Sequence, residues 1–189
     1  MLRWLVRKLD AFLRSRTGVF DFCDDPDCRL RLQVAPAPHD LQLEDVTVPA
    51  GQPVLIIHVK NESVPRIPPS GPDLAWVKEM LRLLTRSLGF IARQMEVDPK
   101  LADVGAVGGA TVLLYSGYHE GVARVLPRLG FKVFPYSSPL GRFGEFWENF
   151  YSWLLIWTYN PNSLRFRRLL RLRRSEFWIS AEAFQRKFG

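Results

Sequence analysis

Hydrophobic residues along the first third of the chain follow a helical spacing and then a strand-like one. From Leu2 to Leu13 they recur at steps of three and four, which predicts a helix with one apolar face. Gly18 follows where a C-terminal capping glycine belongs. Residues 30–34, 41–48 and 53–59 have the alternation or the apolar run that is typical of strands. We expect these three segments to form an antiparallel meander.

The middle of the chain combines a proline-rich loop, a long helix and a β-α-β pattern. Four prolines between Asn61 and Pro72 exclude regular structure, because proline fixes φ and removes a backbone donor. Apolar spacing then predicts a helix from about Asp73 to Gln94, which Asp98-Pro99 prevents from continuing. Residues 104–134 give a strand, a helix from His119 to Leu129 and a second strand.

The last third begins with an aromatic helix. Its rings recur at helical spacing over residues 141–159, and Asn160-Pro-Asn162 ends it. We expect this helix to pack against the body of the protein; in the alternative, its Trp and Tyr rings lie at the headgroup interface of a membrane. A strand at residues 177–179 and a last helix capped by Ser180 follow. The pattern predicts a single α/β (α+β) domain with a mixed sheet of about five to six strands, packed helices, and basic amphipathic helices at both ends.

The positive charge of the protein is concentrated at its two ends. The 189 residues carry 26 Lys and Arg against 19 Asp and Glu, a formal charge of +7. Residues 1–16 contain five bases and one acid, and residues 160–189 contain eight bases and two acids, so the ends carry +4 and +6 and the middle carries −3. Basic ends on a mildly acidic body favour attachment to a polyanionic surface.

Targeting and cysteine signals favour a cytoplasmic protein at the inner face of the cell membrane. Charged residues interrupt the N-terminus, so we expect no secretory signal. The longest stretches without a formal charge are shorter than the roughly 20 residues that span a bilayer, so we expect no membrane span. Cys23 and Cys28 are too few for a zinc site or a disulfide framework, and we interpret them as reduced, incidental thiols.

Motifs for catalysis are weak, which favours a non-catalytic protein and leaves the enzyme question open. His58 lies in a strand, where a hydrogen-bonded core role is favoured, and His119-Glu120 reads as a helix start. These three residues would supply acid-base chemistry if the chain were an enzyme acting on an envelope lipid or glycan. The aspartates at positions 24, 25 and 27 lack the spacing of a calcium loop, and the glycines at 105, 108 and 109 precede a strand where a dinucleotide fingerprint follows one. We therefore expect no metal and no cofactor.

Two binding hypotheses follow from the basic ends. In the first, the helix of residues 1–18 presents its apolar stripe to lipid and its bases to anionic headgroups; in the alternative, the stripe is buried against the body. In the second, the segment from Arg165 to Arg174, with Phe166 and Trp178, binds nucleic acid, or is simply a solvated basic face. The candidate membrane- or anion-binding residues are Arg3, Trp4, Arg7, Lys8, Arg14, Arg165, Arg167, Arg168, Arg171, Arg173 and Arg174.

Three short segments resemble a known family. They are Gly51 with Leu55-Ile-Ile-His58 and Asn61, the run Leu129-Gly-Phe-Lys-Val-Phe134, and Phe177-Trp-Ile-Ser180. With the order of elements, they resemble the YkoP-like family of small bacterial domains, found alone or beside envelope-polysaccharide enzymes. The resemblance implies residues 29–189 as the family domain and an envelope-related role, with no active-site residues. We expect an accessory or interaction protein whose partner is an anionic membrane surface or a membrane-associated protein, with nucleic acid as the alternative.

Overall fold

The computed structural model describes residues 1–112, 125–166 and 174–189, and these contain five helices and seven strands. The helices are α1 (Leu2–Thr17), α2 (Leu74–Val97), α3 (residues 125–128), α4 (Gly141–Tyr159) and α5 (Ala181–Phe188). The strands are β1 (Leu30–Pro36), β2 (Leu41–Gln42), β3 (Thr47–Val48), β4 (Pro53–Val59), β5 (Ala106–Thr111), β6 (Lys132–Pro135) and β7 (Ser175–Ser180). Short 3-10 helices cover Asn61–Ser63, Pro99–Leu101 and Pro161–Phe166.

Several predicted helix ends are confirmed by their capping geometry. Gly18 ends α1 in the left-handed conformation, with φ of 74°. The side chain of Asp73 accepts from the Trp76 N–H at the start of α2, and that of Ser180 accepts from the Ala183 N–H at the start of α5. Asn160 follows α4 directly. The predicted helix runs from His119 to Leu129, and its residues up to position 124 lie outside the described part of the chain.

The main sheet has five strands in the order β1-β4-β5-β7-β6. β1 pairs with β4 in an antiparallel manner, β4 pairs with β5 in parallel, and β7 is antiparallel to both β5 and β6. The strands of the predicted β-α-β pattern, β5 and β6, thus point the same way with β7 inserted between them. The prediction of a single α+β domain with a mixed sheet is confirmed.

The predicted three-stranded meander is wrong. β1 pairs directly with β4, from Leu30 opposite Val59 to Pro36 opposite Pro53. Residues 41–48 are two short strands that pair with each other, because the chain reverses where the Leu43 N–H donates to the Val46 carbonyl. Alternation reports which face of a strand is buried and says nothing about its partner, so the sequence pattern could not separate the two arrangements.

The sheet buries an apolar cluster on each face. One cluster joins the sheet to α2 and α5 and includes Leu32, Ile91, Val107 and Phe184. The other packs the β2-β3 hairpin against the opposite face and centres on Trp178. Neither cluster includes residues of α1 or α4, so the fold is stabilised mainly by the sheet and the helices on it.

The aromatic helix α4 lies at the periphery and is only partly covered. It contacts α1 and the 3-10 helices at 61–63 and 161–166. Phe143, Phe146 and Trp147 are exposed, and the Trp147 ring makes edge-to-face contacts with the other two, whereas Leu155 and Thr158 near the end of the helix are buried. The expectation that this helix packs against the body is therefore met in part, because the rings at its start are exposed whereas those from Phe150 to Tyr159 are half-buried.

Two glycines with opposite surroundings test the sheet packing. A methyl group at Gly108, in the middle of β5, would collide with the Phe177 carbonyl oxygen and the Trp178 ring, so we expect Gly108→Ala to lower the free energy of unfolding by about 2–3 kcal/mol. At Gly89, inside α2, the nearest atom would be the Phe188 oxygen at 3.6 Å. We therefore expect Gly89→Ala to raise the free energy of unfolding by about 0.5–1 kcal/mol.

Urea unfolding followed by circular dichroism measures both variants. A Gly108→Ala protein as stable as the wild type would contradict the packing of β5 between β4 and β7.

Candidate anion-binding site

One buried carboxylate attaches α1 to the body of the protein. Asp10 and Val6 are the buried residues of α1. The Asp10 carboxylate accepts a hydrogen bond from the Tyr151 hydroxyl at 2.7 Å and another from Arg14 Nε at 3.1 Å. Burial, and then the bond to Asp10, raise the pKa of Tyr151, so this phenol stays protonated and donates. The bond to Tyr151, on α4, determines which face of α1 points inward, whereas the bond to Arg14 lies within α1.

The apolar stripe of α1 points away from the body. Leu2, Leu5, Leu9 and Phe12 share one helix face and are between 44% and 58% exposed. Two bases lie beside this exposed surface: the Lys8 ammonium is 5.8 Å from the Trp4 ring centroid, and the Arg16 guanidinium is 5.3 Å from that of Phe12. Of the two arrangements open at the level of sequence, the structure has the one with an exposed stripe.

Two other arginines of α1 point toward the end of α4. The Arg3 guanidinium lies 5.1 Å from the Trp157 ring centroid, and that of Arg7 lies 5.6 Å from the Tyr159 ring centroid. Beside them is a cavity of about 580 Å³ between α1, the proline-rich loop and the end of α4. Its lining residues are Arg3, Arg7, Glu62, Val64, Arg66, Thr158, Tyr159, Asn160, Pro161 and Asn162.

The proline-rich loop forms a wall of this cavity because two asparagines hold its backbone. The Asn160 side chain accepts from the Ile67 N–H and donates to the Pro65 carbonyl, both at 3.1 Å. Asn162 Nδ2 donates to the Ile67 carbonyl at 2.8 Å. A loop without regular backbone pairing is thereby tied to the end of α4.

The charge lining the cavity is predominantly positive. Arg31 donates through both Nη atoms to the Glu62 carboxylate; burial acts to raise the pKa of Glu62, but Arg31 outweighs it and holds that pKa below its usual value. Glu62 is therefore ionised and already paired. Among the described residues, no carboxylate lies within ion-pair distance of Arg3, Arg7 or Arg66.

A buried hydroxyl beside these arginines has no partner. Thr158 is 4% exposed, and its Oγ1 makes no hydrogen bond within the part of the chain that the structure describes. A buried hydroxyl without a partner loses its bonds to water and gains none in return, which is unfavourable. Three unpaired arginines and one unpaired hydroxyl therefore line the same cavity.

The other predicted binding residues are dispersed or occupied. Arg14 is paired with Asp10, and Arg165 Nη1 donates to the Pro69 carbonyl at 3.1 Å. Arg174 is largely buried and donates to the Glu148 carbonyl, to Ser152 Oγ at 2.7 Å and to Asn149 Oδ1. The remaining four, Arg167, Arg168, Arg171 and Arg173, lie outside the described residues.

Of the candidate acid-base residues, the structure describes His58. Its Nε2 donates to Gln33 Oε1 across the β1-β4 pair at 2.8 Å, and burial, followed by the charge of Arg31, lowers its pKa. It is a neutral, hydrogen-bonded strand residue. His119 and Glu120 lie outside the described residues, so their position relative to His58 is not described.

The acidic loop near the cysteines pairs with basic side chains of α2. Asp27 contacts Arg82 and Arg86, and Asp25 contacts Arg86. Within residues 1–112, 125–166 and 174–189, no three His, Cys, Asp or Glu side chains come together as a metal ion requires. Cys28 is buried, which raises its pKa to about 11, so it is a poor nucleophile.

Sequence reasoning missed an imidazole-carboxylate pair at the other end of the sheet. Glu176 is buried on β7 and accepts from Trp178 Nε1 at 2.9 Å and from His39 Nε2 at 3.0 Å. A hydrogen bond with the Asp40 carbonyl, with the Glu176 carboxylate assisting, raises the pKa of His39 above its usual value. The two residues are 137 positions apart, so no local pattern could have joined them.

Comparison with known proteins gives one match. The family model for the YkoP domain matches residues 37–188, which include β2 to α5 and begin after α1 and β1. Neither a curated protein nor a solved structure shows a significant match.

The His39–Glu176 pair gives a pH test of the structure. Because the pKa of His39 is raised in the folded state, its stabilising contribution is complete below about pH 6.5 and is lost as pH rises through the folded pKa. We expect His39→Gln to lower the free energy of unfolding more at pH 5.5 than at pH 8.

The pH dependence expected for His58 has the opposite sign. Because burial lowers the pKa of His58 in the folded state, the protein loses stability as pH falls below about 6.5. His58→Gln is therefore the control, and its relative stability should improve at low pH. Urea unfolding across this pH range measures both. A pH-independent effect of His39→Gln would show that the pair does not form in solution.

Proposed function

The chain belongs to the YkoP domain family, and we propose that α1, which precedes the matched region, attaches this domain to an anionic membrane surface. The observation that carries the proposal is the exposed apolar stripe on a helix whose other face is already docked. A docked helix that served packing alone would bury this stripe, because apolar burial is the main favourable contribution of a surface helix.

The size of the stripe suits reversible attachment. Full burial of a Leu or Phe side chain contributes about 1.5–3 kcal/mol, so four side chains that are each about half exposed offer roughly 4 kcal/mol. Lys8 and Arg16, beside the stripe, each add about 1 kcal/mol at an anionic surface. The summed free energy is comparable with the membrane-binding free energy of a single myristoyl chain, which binds membranes reversibly.

In this arrangement α1 lies in the plane of the interface. Its apolar side chains enter the headgroup region. No helix in the described residues is long and apolar enough to cross a bilayer.

The domain would then work as a non-catalytic accessory or interaction protein at the cytoplasmic face of the membrane, in envelope lipid or glycan metabolism. The envelope link comes from the family resemblance. Membrane attachment is favoured over nucleic-acid binding because Arg165 and Arg174 are engaged with backbone and side-chain oxygens of the protein itself, so they are poorly available for phosphates along a strand.

Vesicle co-sedimentation tests the proposal directly. We expect binding to vesicles of phosphatidylcholine with phosphatidylglycerol, and little binding to phosphatidylcholine alone. Leu5→Asp combined with Leu9→Asp should weaken binding at least tenfold, since it replaces two inserting side chains by charges that the surface repels.

The matched control is Leu74→Asp combined with Val97→Asp, which adds the same charge at two side chains that are 69% and 73% exposed on α2. Circular dichroism verifies that both variants are folded. Equal loss of binding in the two variants would contradict insertion of α1. Binding to oligonucleotides but not to vesicles would replace the proposal by the nucleic-acid alternative.

A further inference from the structure

The cavity behind α1 has the dimensions and the residues of a small-anion site. Its volume of about 580 Å³ lies within the usual range for ligand pockets. Arg3, Arg7 and Arg66 come from two separate parts of the chain and are lining residues of the same space. The charged end of each guanidinium is a planar fork of donors that matches the oxygens of phosphate.

Two of these arginines, Arg3 and Arg7, are held in place by aromatic rings and not by carboxylates. Trp157 and Tyr159 follow one another closely on α4 and lie under Arg3 and Arg7. A ring face orients a guanidinium without using its N–H donors, which stay free for a ligand. This differs from Arg31 and Arg14, whose donors are occupied by Asp21, Glu62 and Asp10.

The net charge of the lining selects for a dianion. Three arginines and the ionised Glu62 leave an excess of two positive charges in the lining. A phosphate monoester carries a charge between about −1.5 and −2 at neutral pH. A diester, with a single charge and fewer free oxygens, would satisfy this lining less well.

The unpartnered hydroxyl of Thr158 is an independent indication of a ligand. It is buried, it belongs to a lining residue, and its Oγ1 has no partner among the described residues. If the side chain turns its hydroxyl toward the cavity, a phosphate oxygen can accept from it and remove the cost of leaving it unpaired.

From these observations we infer that the cavity lined by Arg3, Arg7, Arg66 and Thr158 binds the phosphate group of a phosphomonoester. Two kinds of ligand carry such a terminal phosphate: a soluble phosphate ester and the headgroup of phosphatidic acid. The inference does not depend on insertion of the apolar stripe into a membrane, because the arginines of the cavity and the stripe lie on different faces of α1.

Isothermal titration calorimetry with inorganic phosphate at constant ionic strength tests the inference without any vesicle. We expect saturable binding, with dimethyl phosphate at least tenfold weaker. Arg3→Gln combined with Arg7→Gln should weaken phosphate binding more than tenfold, because two charge-assisted contacts are lost. Lys78→Gln combined with Arg93→Gln is the control, since it removes the same charge from exposed positions on α2 outside the cavity and should change the affinity less than twofold.

Thr158→Val separates a ligand contact from a structural role. It keeps the shape of the side chain and removes the hydroxyl. We expect phosphate affinity to fall about three- to tenfold, while the melting temperature of the phosphate-free protein stays the same or rises by about 2–4 °C, because an unpaired buried hydroxyl is lost. A merely structural hydroxyl would give a lower melting temperature and no change in affinity.

Vesicles distinguish the two sources of phosphate. A headgroup source predicts tighter binding to phosphatidic acid than to phosphatidylglycerol at matched charge, with the preference abolished by the Arg3 and Arg7 double variant. A soluble source predicts saturable phosphate binding without that preference. Absence of both, or an equal loss of phosphate affinity in the Lys78 and Arg93 control, would overturn the inference.

Discussion

The peripheral part of this protein depends on one buried carboxylate. Asp10 accepts from Tyr151 and from Arg14, and a carboxylate removed from water is stable only with such partners. A rotation of α1 that turned its leucines inward would break the hydrogen bond between Tyr151 and Asp10. The Tyr151 hydroxyl would then lose its acceptor. The polar contact thus determines the orientation of the helix, and the exposure of the apolar stripe and the position of Arg3 and Arg7 both follow from it.

The two proposed binding functions concern two different faces of α1. The sheet, α2 and α5 form the apolar clusters that stabilise the fold, and α1 and α4 lie outside them. Because the core does not require it, the outer face of α1 is available for a lipid surface and its inner side for an anion.

Much of the fold could be predicted from the sequence, because the spacing of apolar residues within one helix or strand shows which of its faces is buried. The bounds of α4, the capping by Gly18 and Ser180, and the strand at 177–179 follow from such signals. Strand partners do not, which is why the meander prediction was wrong. The cavity could not be predicted from the sequence either, because its wall depends on contacts between residues far apart in the chain, such as Asn160 with Ile67, which are 93 residues apart. Arg3 and Arg7 were identified as basic, but their stacking on α4 rings depends on tertiary contacts.

Spin-label accessibility along α1 tests the orientation of this helix most directly. Single cysteines replace Leu5, Leu9 and Ala11 in a Cys23→Ser, Cys28→Ala background; Ala11 is also exposed but lies on the other side of α1 from the stripe. We predict that all three labels are accessible to a water-soluble relaxation reagent in the free protein. With anionic vesicles, the labels at 5 and 9 should lose this access while the label at 11 keeps it. Labels at 5 and 9 that are already shielded in the free protein would contradict the outward orientation of the stripe.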